Sequence, residues 1–306
     1  MLPAQVLEYL QVPTGGIVVD ATVGLGGHAA ILADKIGRQG RLVGLDVDDS
    51  NLSIARERLA AFGEGIVLCR RNFRELRTVL DELRIAGADA ILADLGVSSA
   101  QLADADRGFS FLADGPLDMR LDDRLAKTAA DLINSLTETE LADLFYFNSQ
   151  ERFSRRIAKR ICQARREVRI RRTGELARIV CSAVGADPDS RKSKIHPATR
   201  VFQALRIAVN QEIESLEAFL EQACHCLLPP RASHGADSAE ATGGGRLAVI
   251  SFHSLEDGLV KRDFRRREAA GLYRICTKKP VVANAEEVAR NPRARSAKLR
   301  VAQRVA

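Results

Sequence analysis

Apolar positions in the first hundred residues fall in short runs, and three of the runs close on an acid. Ile17-Val18-Val19 ends at Asp20, Leu42-Val43-Gly44-Leu45 at Asp46, and Ala90-Ile91-Leu92-Ala93 at Asp94. Ile66-Val67-Leu68-Cys69 is a fourth run, followed by Asn72-Phe73 in a loop. Runs this short and this continuously apolar read as strands buried on both faces. Helical spacing fills the gaps, at residues 50–61 and 76–84. Alternating strands and helices predict a parallel sheet covered on both sides. Its strand ends at Asp20, Asp46 and Asp94 then open on one crevice, where open α/β sheets bind ligands.

The pattern breaks between residues 101 and 194, where no strand is expected. Residues 132–147 read as one helix, with Thr137 and Glu140 spaced as a capping box. Residues 151–166 form an amphipathic helix. Phe153, Ile157, Ile161 and Ala164 make its stripe, and Arg152, Arg155, Arg156, Lys159 and Arg160 lie off it. Another helix covers 173–184. A long helix over 199–227, stopped by Pro229-Pro230, resumes the α/β pattern. Residues 231–245 are small, polar and glycine-rich, and read as a flexible surface loop without chemistry. A fifth strand covers 246–251, Phe252-His253-Ser254-Leu255-Glu256-Asp257 opens a helix, and residues 298–302 alternate as a last strand. The expected architecture is a Rossmann-like α/β domain built from residues 1–102 and 198–306. An all-helical domain, residues 103–197, is inserted in it.

Chemistry first enters between the first strand and its helix. Thr22, Gly24, Gly26 and Gly27 stand at +2, +4, +6 and +7 from Asp20. Glycine lets the backbone turn sharply and approach a ligand closely. Asp46 follows Gly26 by 20 residues, placed to accept hydrogen bonds from both hydroxyls of a ribose. Two cofactors share this logic. A dinucleotide wants G-x-G-x-x-G with the helix amino end on a pyrophosphate, a spacing these glycines do not meet. S-adenosylmethionine sites carry D-x-G-x-G-x-G, which fits with threonine at the first glycine. Both readings stand on this stretch alone.

Composition narrows the class. The chain has 306 residues and is 46% hydrophobic, enough for a sizeable core. It holds no apolar run of membrane-spanning length and no signal-peptide pattern, so a cytoplasmic protein is expected. The six cysteines (Cys69, Cys162, Cys181, Cys224, Cys226, Cys276) include no C-x-x-C, which fits free thiols and no metal. The formal net charge of +6 is unevenly spread. Residues 151–200 carry a net +10 and residues 261–306 another +10, leaving −14 for the rest. Two basic blocks on an acidic background point to a polyanionic partner. A non-catalytic RNA-binding protein therefore remains a rival to an enzyme.

Longer strings carry a resemblance. They are Asp94-Leu95-Gly96-Val97-Ser98-Ser99, Arg107-Gly108-Phe109-Ser110-Phe111, Gly115-Pro116-Leu117-Asp118-Met119-Arg120 and His196-Pro197-Ala198-Thr199-Arg200. Phe202-Gln203-Ala204-Leu205-Arg206-Ile207, Ser251 to Asp257 and Asn291 to Arg300 continue the series. Together these resemble the RsmH (MraW) family, which methylates N4 of a cytidine in 16S ribosomal RNA. The resemblance runs from Asp20 to the last strand. The family pattern also has His-x-Pro-Val ahead of Gln5, a segment this chain begins too late to contain.

The resemblance implies a class I S-adenosylmethionine-dependent methyltransferase sheet with a helical insert for RNA recognition. It implies a target at position 1402 (standard numbering), in the decoding centre of the small ribosomal subunit. It implies cofactor contacts at Gly26, Gly27, His28, Asp46, Phe73, Asp94 and Gln101. Amine methyltransferases commonly place Asp/Asn-Pro-Pro-aromatic after the fourth strand, where this chain has Asp94-Leu95-Gly96-Val97. Asp94 is thus the catalytic candidate, meeting the amine or the cofactor. His253 either faces the base or serves as an ordinary helix-entry residue. Asp118 and Arg120 form a mutual ion pair or touch RNA. Arg155, Arg156, Lys159 and Arg160, with the basic tail after Lys261, are the expected phosphate contacts. A homodimer is compatible with the sequence.

Overall fold

In a computed structural model, residues 1–187, 196–230 and 243–306 are described. The expected loop at 231–245 lies largely outside them. The chain forms two compact units, Met1–Gly96 with Glu214–Ala306, and Val97–Ile213.

The first unit opens with α1 (Pro3–Leu10), then alternates β1 (Ile17–Asp20), α2 (Gly27–Ile36), β2 (Arg41–Asp46), α3 (Asp49–Leu59), β3 (Ile66–Arg70), α4 (Leu76–Glu82) and β4 (Ala90–Asp94). The second unit holds α5 (Ser99–Ala103), α6 (Ala129–Ser135), α7 (Glu138–Ser149), α8 (Ser154–Glu167), α9 (Thr173–Val184) and α10 (Ala198–Asn210). The chain returns through α11 (Glu212–Cys226) to β5 (Arg246–Ser251), α12 (Ser254–Ala269), β6 (Tyr273–Ile275), β7 (Val281–Val282), α13 (Ala285–Arg290) and β8 (Lys298–Arg304).

The sheet runs β3-β2-β1-β4-β5-β8-β6, with β7 also on β8. Strands β1 to β5 are parallel, and β8 enters antiparallel to β5. Successive side chains supply opposite layers, as a strand's period of two requires. Val19, Val43, Ile91 and Val249 join the layer of α4, α11 and α12. Val18, Leu42, Leu92 and Ile250 join that of α1, α2 and α3. Strands buried on both faces have no polar alternation to show, which is why they read as continuous apolar runs. Strands β6 and β7 were not foreseen, since three and two residues carry no period.

The second unit has a separate core, including Ile133, Phe145, Ile157, Ile161, Val180 and Leu205. Three expectations change here. The helix over 132–147 is two helices, because Leu136 is extended and Thr137 restarts the chain as the cap of α7, with Glu140 closing the box. The helix over 199–227 is also two. Gln211 adopts a left-handed conformation (φ 49°) that ends α10. The buried Asn210 anchors that end, its Nδ2 donating to the Met119 carbonyl (2.8 Å) and its Oδ1 accepting from the Leu121 amide (2.6 Å). As a result α10 packs on α6, α7 and α9, and the helical unit spans Val97–Ile213 rather than 103–197. Finally, Phe153 lies outside α8 and is exposed, while Ile157 and Ile161 are buried as expected.

Candidate active site

The acids at the ends of β1, β2 and β4 share one sheet edge, because these strands are parallel and adjacent. The turn after β1 is built from both neighbours. The Ala21 amide donates to the Leu92 carbonyl and the Val23 amide to the Leu45 carbonyl, both at 2.8 Å. Gly24 and Gly26 take left-handed conformations (φ 50° and 78°). A Cβ on Gly26 would stand 3.3 Å from the Ala55 Cα, so α3 packs directly on the turn.

Asp46 holds this turn in place. Its Oδ2 accepts from the Gly24 amide (2.9 Å) and from Asn51 Nδ2 (3.3 Å), and its Oδ1 accepts from the Asp48 amide (2.8 Å). Asp48 in turn caps α3 through the Ser50 amide (3.0 Å). An ionised carboxylate offers about four lone-pair positions, so the protein already uses most of them. Burial pushes the Asp46 carboxyl up to about 6, against the backbone hydrogen bonds that lower it.

Asp20 is 1% exposed. Its Oδ1 accepts from the Thr22 amide (3.3 Å), and its Oδ2 is buried without a hydrogen-bond partner among the described residues. Desolvation pushes this carboxyl up to about 6, with His28 acting the other way and Asp94 and Asp46 adding to the rise. Asp94 is fixed by Thr22, whose Oγ1 accepts from the Asp94 amide at 2.7 Å. The Asp94 Oδ2 lies 3.3 Å from His28 Nε2. The Asp94 Oδ1 and the His28 Nδ1 are buried without partners among the described residues. The edge therefore presents two orphaned carboxylate oxygens and one imidazole nitrogen around a glycine turn. Burying such groups unpaired is costly. A cationic ligand with hydrogen-bond donors satisfies them, and S-adenosylmethionine, with its sulfonium and ammonium, is of that kind. A pyrophosphate would meet three carboxylates.

The other expected residues fall as follows. Phe73 follows β3, half-buried, with its ring edge-on to Phe219 at 5.4 Å. Gln101 belongs to the helical unit, where it is buried and closes a capping box with Ser98. The His253 Nδ1 accepts from the Glu256 amide (3.4 Å), and Glu256 Oε2 accepts from the Phe252 amide (2.8 Å), so His253 caps the start of α12. Asp118 and Arg120 pair through two bonds of 2.8 Å. Arg155, Arg156, Lys159 and Arg160 are exposed. The second basic block is partly internal: Arg267 is buried on Asp263, and Arg300 on Asp257. Thr22 and Asn51 were missed as site residues. Thr22 was legible, since a hydroxyl at a glycine position of the motif asks for a partner.

A parallel sheet ordered 3-2-1-4-5 with an antiparallel strand beyond it, a glycine turn after β1 and acids closing β1, β2 and β4 define a class I Rossmann-like methyltransferase. The profile of the MraW methylase family matches residues 1–305. Similar proteins include the ribosomal RNA small subunit methyltransferase H of a Cyanothece species, 48% identical over 305 residues, all of this chain and 94% of the relative. That of Geobacter sulfurreducens is 47% identical over 320 residues, covering all of this chain and 98% of the relative. TrmN from Thermus thermophilus, a solved structure, superposes with a TM-score of 0.46 at 14% identity, over 99% of this chain and 48% of that one. The chain belongs to the MraW methylase family. No helix among the described residues is long and apolar enough to cross a membrane.

Proposed function

We propose that this protein transfers a methyl group from S-adenosylmethionine to the N4 amine of a decoding-centre cytidine of 16S ribosomal RNA (position 1402, standard numbering). It does so on the small ribosomal subunit, in the cytoplasm. The observation that carries the reading is Asp94, at the end of the central strand β4, with its Oδ1 buried and unpartnered beside the glycine turn. That is where an amine donor has an acceptor ready for it. The names of the relatives support ribosomal RNA as the substrate class.

When bound, the cofactor supplies a methyl group already activated on a sulfonium. The residues of this chain then have to bind, aim and exclude water. Gly26 and Gly27 let the backbone approach the ligand, and His28 stands at the start of α2. Asp46 accepts a ribose hydroxyl on its remaining position, with the long Asn51 bond (3.3 Å) the first to yield to a second. Phe73 offers a ring for the adenine. Gln101 stays in the set on the resemblance alone. A cytosine amine is a poor nucleophile because its lone pair is delocalised into the ring. A hydrogen bond from that amine to the Asp94 carboxylate favours a pyramidal nitrogen and stabilises the charge that builds during transfer. The exposed cations of α8, Arg155, Arg156, Lys159 and Arg160, hold phosphates. Flipping a base out of a folded RNA costs a few kcal/mol, which such contacts offset.

The test is transfer of labelled methyl to small subunits from a strain lacking the enzyme, followed by nucleoside mass spectrometry. N4-methylcytidine at one decoding-centre position is the expected product. Incorporation on carbon 5, or on transfer RNA or DNA instead, rejects the proposal. Asp94→Ala is expected to lower the rate by about 100-fold or more while the far-ultraviolet circular dichroism is unchanged. A variant as active as wild type rejects Asp94 as the acceptor.

A further inference from the structure

We propose that the junction of α7 and α8 is a stacking platform for unpaired RNA bases. The proposal rests on the reading that this protein acts on RNA, and concerns the helical unit alone. The described residues expose three aromatic rings, Tyr146 (54%), Phe147 (65%) and Phe153 (52%), and all three fall at this one junction. Solvation of three rings within eight residues of chain calls for an explanation, since large exposed apolar clusters mark binding surfaces. Lack of core space does not provide it. Helix α7 already buries Leu141, Ala142 and Phe145, and α8 buries Ile157, Ala158 and Ile161.

The junction is ordered by its own hydrogen bonds. Gln150, in a left-handed conformation (φ 54°), donates its amide to the Tyr146 carbonyl at 2.8 Å, and the Glu151 amide donates to the Phe145 carbonyl at 3.2 Å. Tyr146 and Phe147 stand edge-to-face, with centroids 5.4 Å apart. Tyr146 and Phe147 thus stand in the last turn of α7 and Phe153 at the cap of α8, all three on backbone fixed by the helices, which keeps the entropy cost of stacking low.

Charge selects the partner. Arg152, Arg155 and Arg156 are exposed, all within three residues of Phe153 in the chain. The acid between positions 146 and 160 is Glu151, which is buried and accepts from the Phe153 amide at 2.9 Å. The stretch from 146 to 160 therefore exposes rings and cations, and the nearest exposed carboxylate in the chain is Asp143, one helical turn before Tyr146 and Phe147. A single-stranded nucleic acid needs both groups at once, ring faces for its bases and cations for its phosphates. A duplex offers phosphates but keeps its bases stacked on each other, so it engages the arginines alone.

The test measures binding of the full chain, at fixed salt, to an unstructured oligoribonucleotide of about a dozen nucleotides and to the same strand annealed to its complement. Base–aromatic stacking contributes roughly fivefold or more per base. Tyr146→Ala with Phe147→Ala is expected to weaken single-strand binding by about that factor or more, leaving duplex and S-adenosylmethionine affinities unchanged. Phe153→Ala is expected to do the same to a smaller extent. Phe147→Trp keeps wild-type affinity, and Phe147→Leu behaves as the alanine variant. Arg155→Glu with Arg156→Glu weakens both probes together. The proposal is overturned if the alanine variants bind the single strand as wild type does, or if Phe147→Leu does. It is equally overturned if the aromatic changes alter only the sedimentation of the protein, which would make the patch a protein interface. Methyl transfer by wild type to small subunits, measured alongside, separates the two readings. Its absence counts against the proposed function, whereas its presence with unaffected variants counts against the platform alone.

Discussion

Asp20 shows what a single residue reveals before and after folding. The sequence marks it as a strand-end acid, but its cost comes from burial at 1% exposure with one oxygen unpartnered. Its carboxyl is raised from 3.8 to about 6. The native state therefore keeps a proton that the unfolded chain has released between those values, and stability falls as pH rises through that window. Asp20→Asn removes this contribution. Urea unfolding without cofactor is expected to give a shallower loss of stability from pH 4 to 6 and a more stable protein at pH 7.5. The gain should be on the order of 1–3 kcal/mol and vanish below about pH 4, where Asp20 is protonated folded and unfolded alike, while Asp46 leaves a slope of the same sign in both proteins. Thr22 makes the opposite case. Thr22→Val keeps the shape but strands the Asp94 amide, which now donates at 2.7 Å, and is expected to cost about 1–3 kcal/mol in the same assay. The site was legible wherever residue type and spacing carry the chemistry, as with the glycine turn, Asp46 and Asp94. The orphaned oxygens and the Thr22 bond were not, because they depend on which strand lies next to which.

Elements were readable in proportion to their length and the strength of their caps. Thr137 and Glu140 form the capping box their spacing suggested, because such a box is satisfied within four residues, but it opens α7 instead of lying within one helix over 132–147. Gln211 gave no warning of the break between α10 and α11, because the apolar period continues through it. The break is made by Asn210 reaching residues 119 and 121, far away in sequence. The Phe153 error has a similar source. A helical period assigns a position to a face, but Glu151 and Gln150 turn the chain before the helix begins. Gln150 is a non-glycine residue in the left-handed region at the end of α7, and its side chain is exposed. Gln150→Gly is expected to raise stability by about 0.5–1 kcal/mol, read as a higher thermal midpoint. A lower midpoint would mean that the glutamine side chain is itself needed at the junction.

At the scale of the molecule, the separate cores of the two units and the uneven charge matter most. RNA affinity is expected to fall steeply between about 50 and 200 mM salt, by on the order of 1,000-fold if six phosphates are held. S-adenosylmethionine affinity should change little over that range. Arg155→Glu with Arg156→Glu should flatten the salt slope of RNA binding. Arg267→Glu is expected to unfold the protein instead, since that cation is buried on Asp263. The two basic blocks look alike as charge counts, yet one is solvated along α8 and the other is partly consumed inside the sheet unit.

By itself the sequence determined the α/β class, six of the eight strands in their order along the chain, the helical insertion and the glycine turn with its acids. All of these are written in local periods and short spacings. Only the tertiary structure decided the assignment of α10 to the helical unit, the pairing of β6 and β7 onto β8, the acceptors left unpartnered at the sheet edge and the exposure of the rings at the α7–α8 junction. Each of these is set by contacts between residues distant in the chain, and a local pattern of hydrophobic and polar positions carries no record of them.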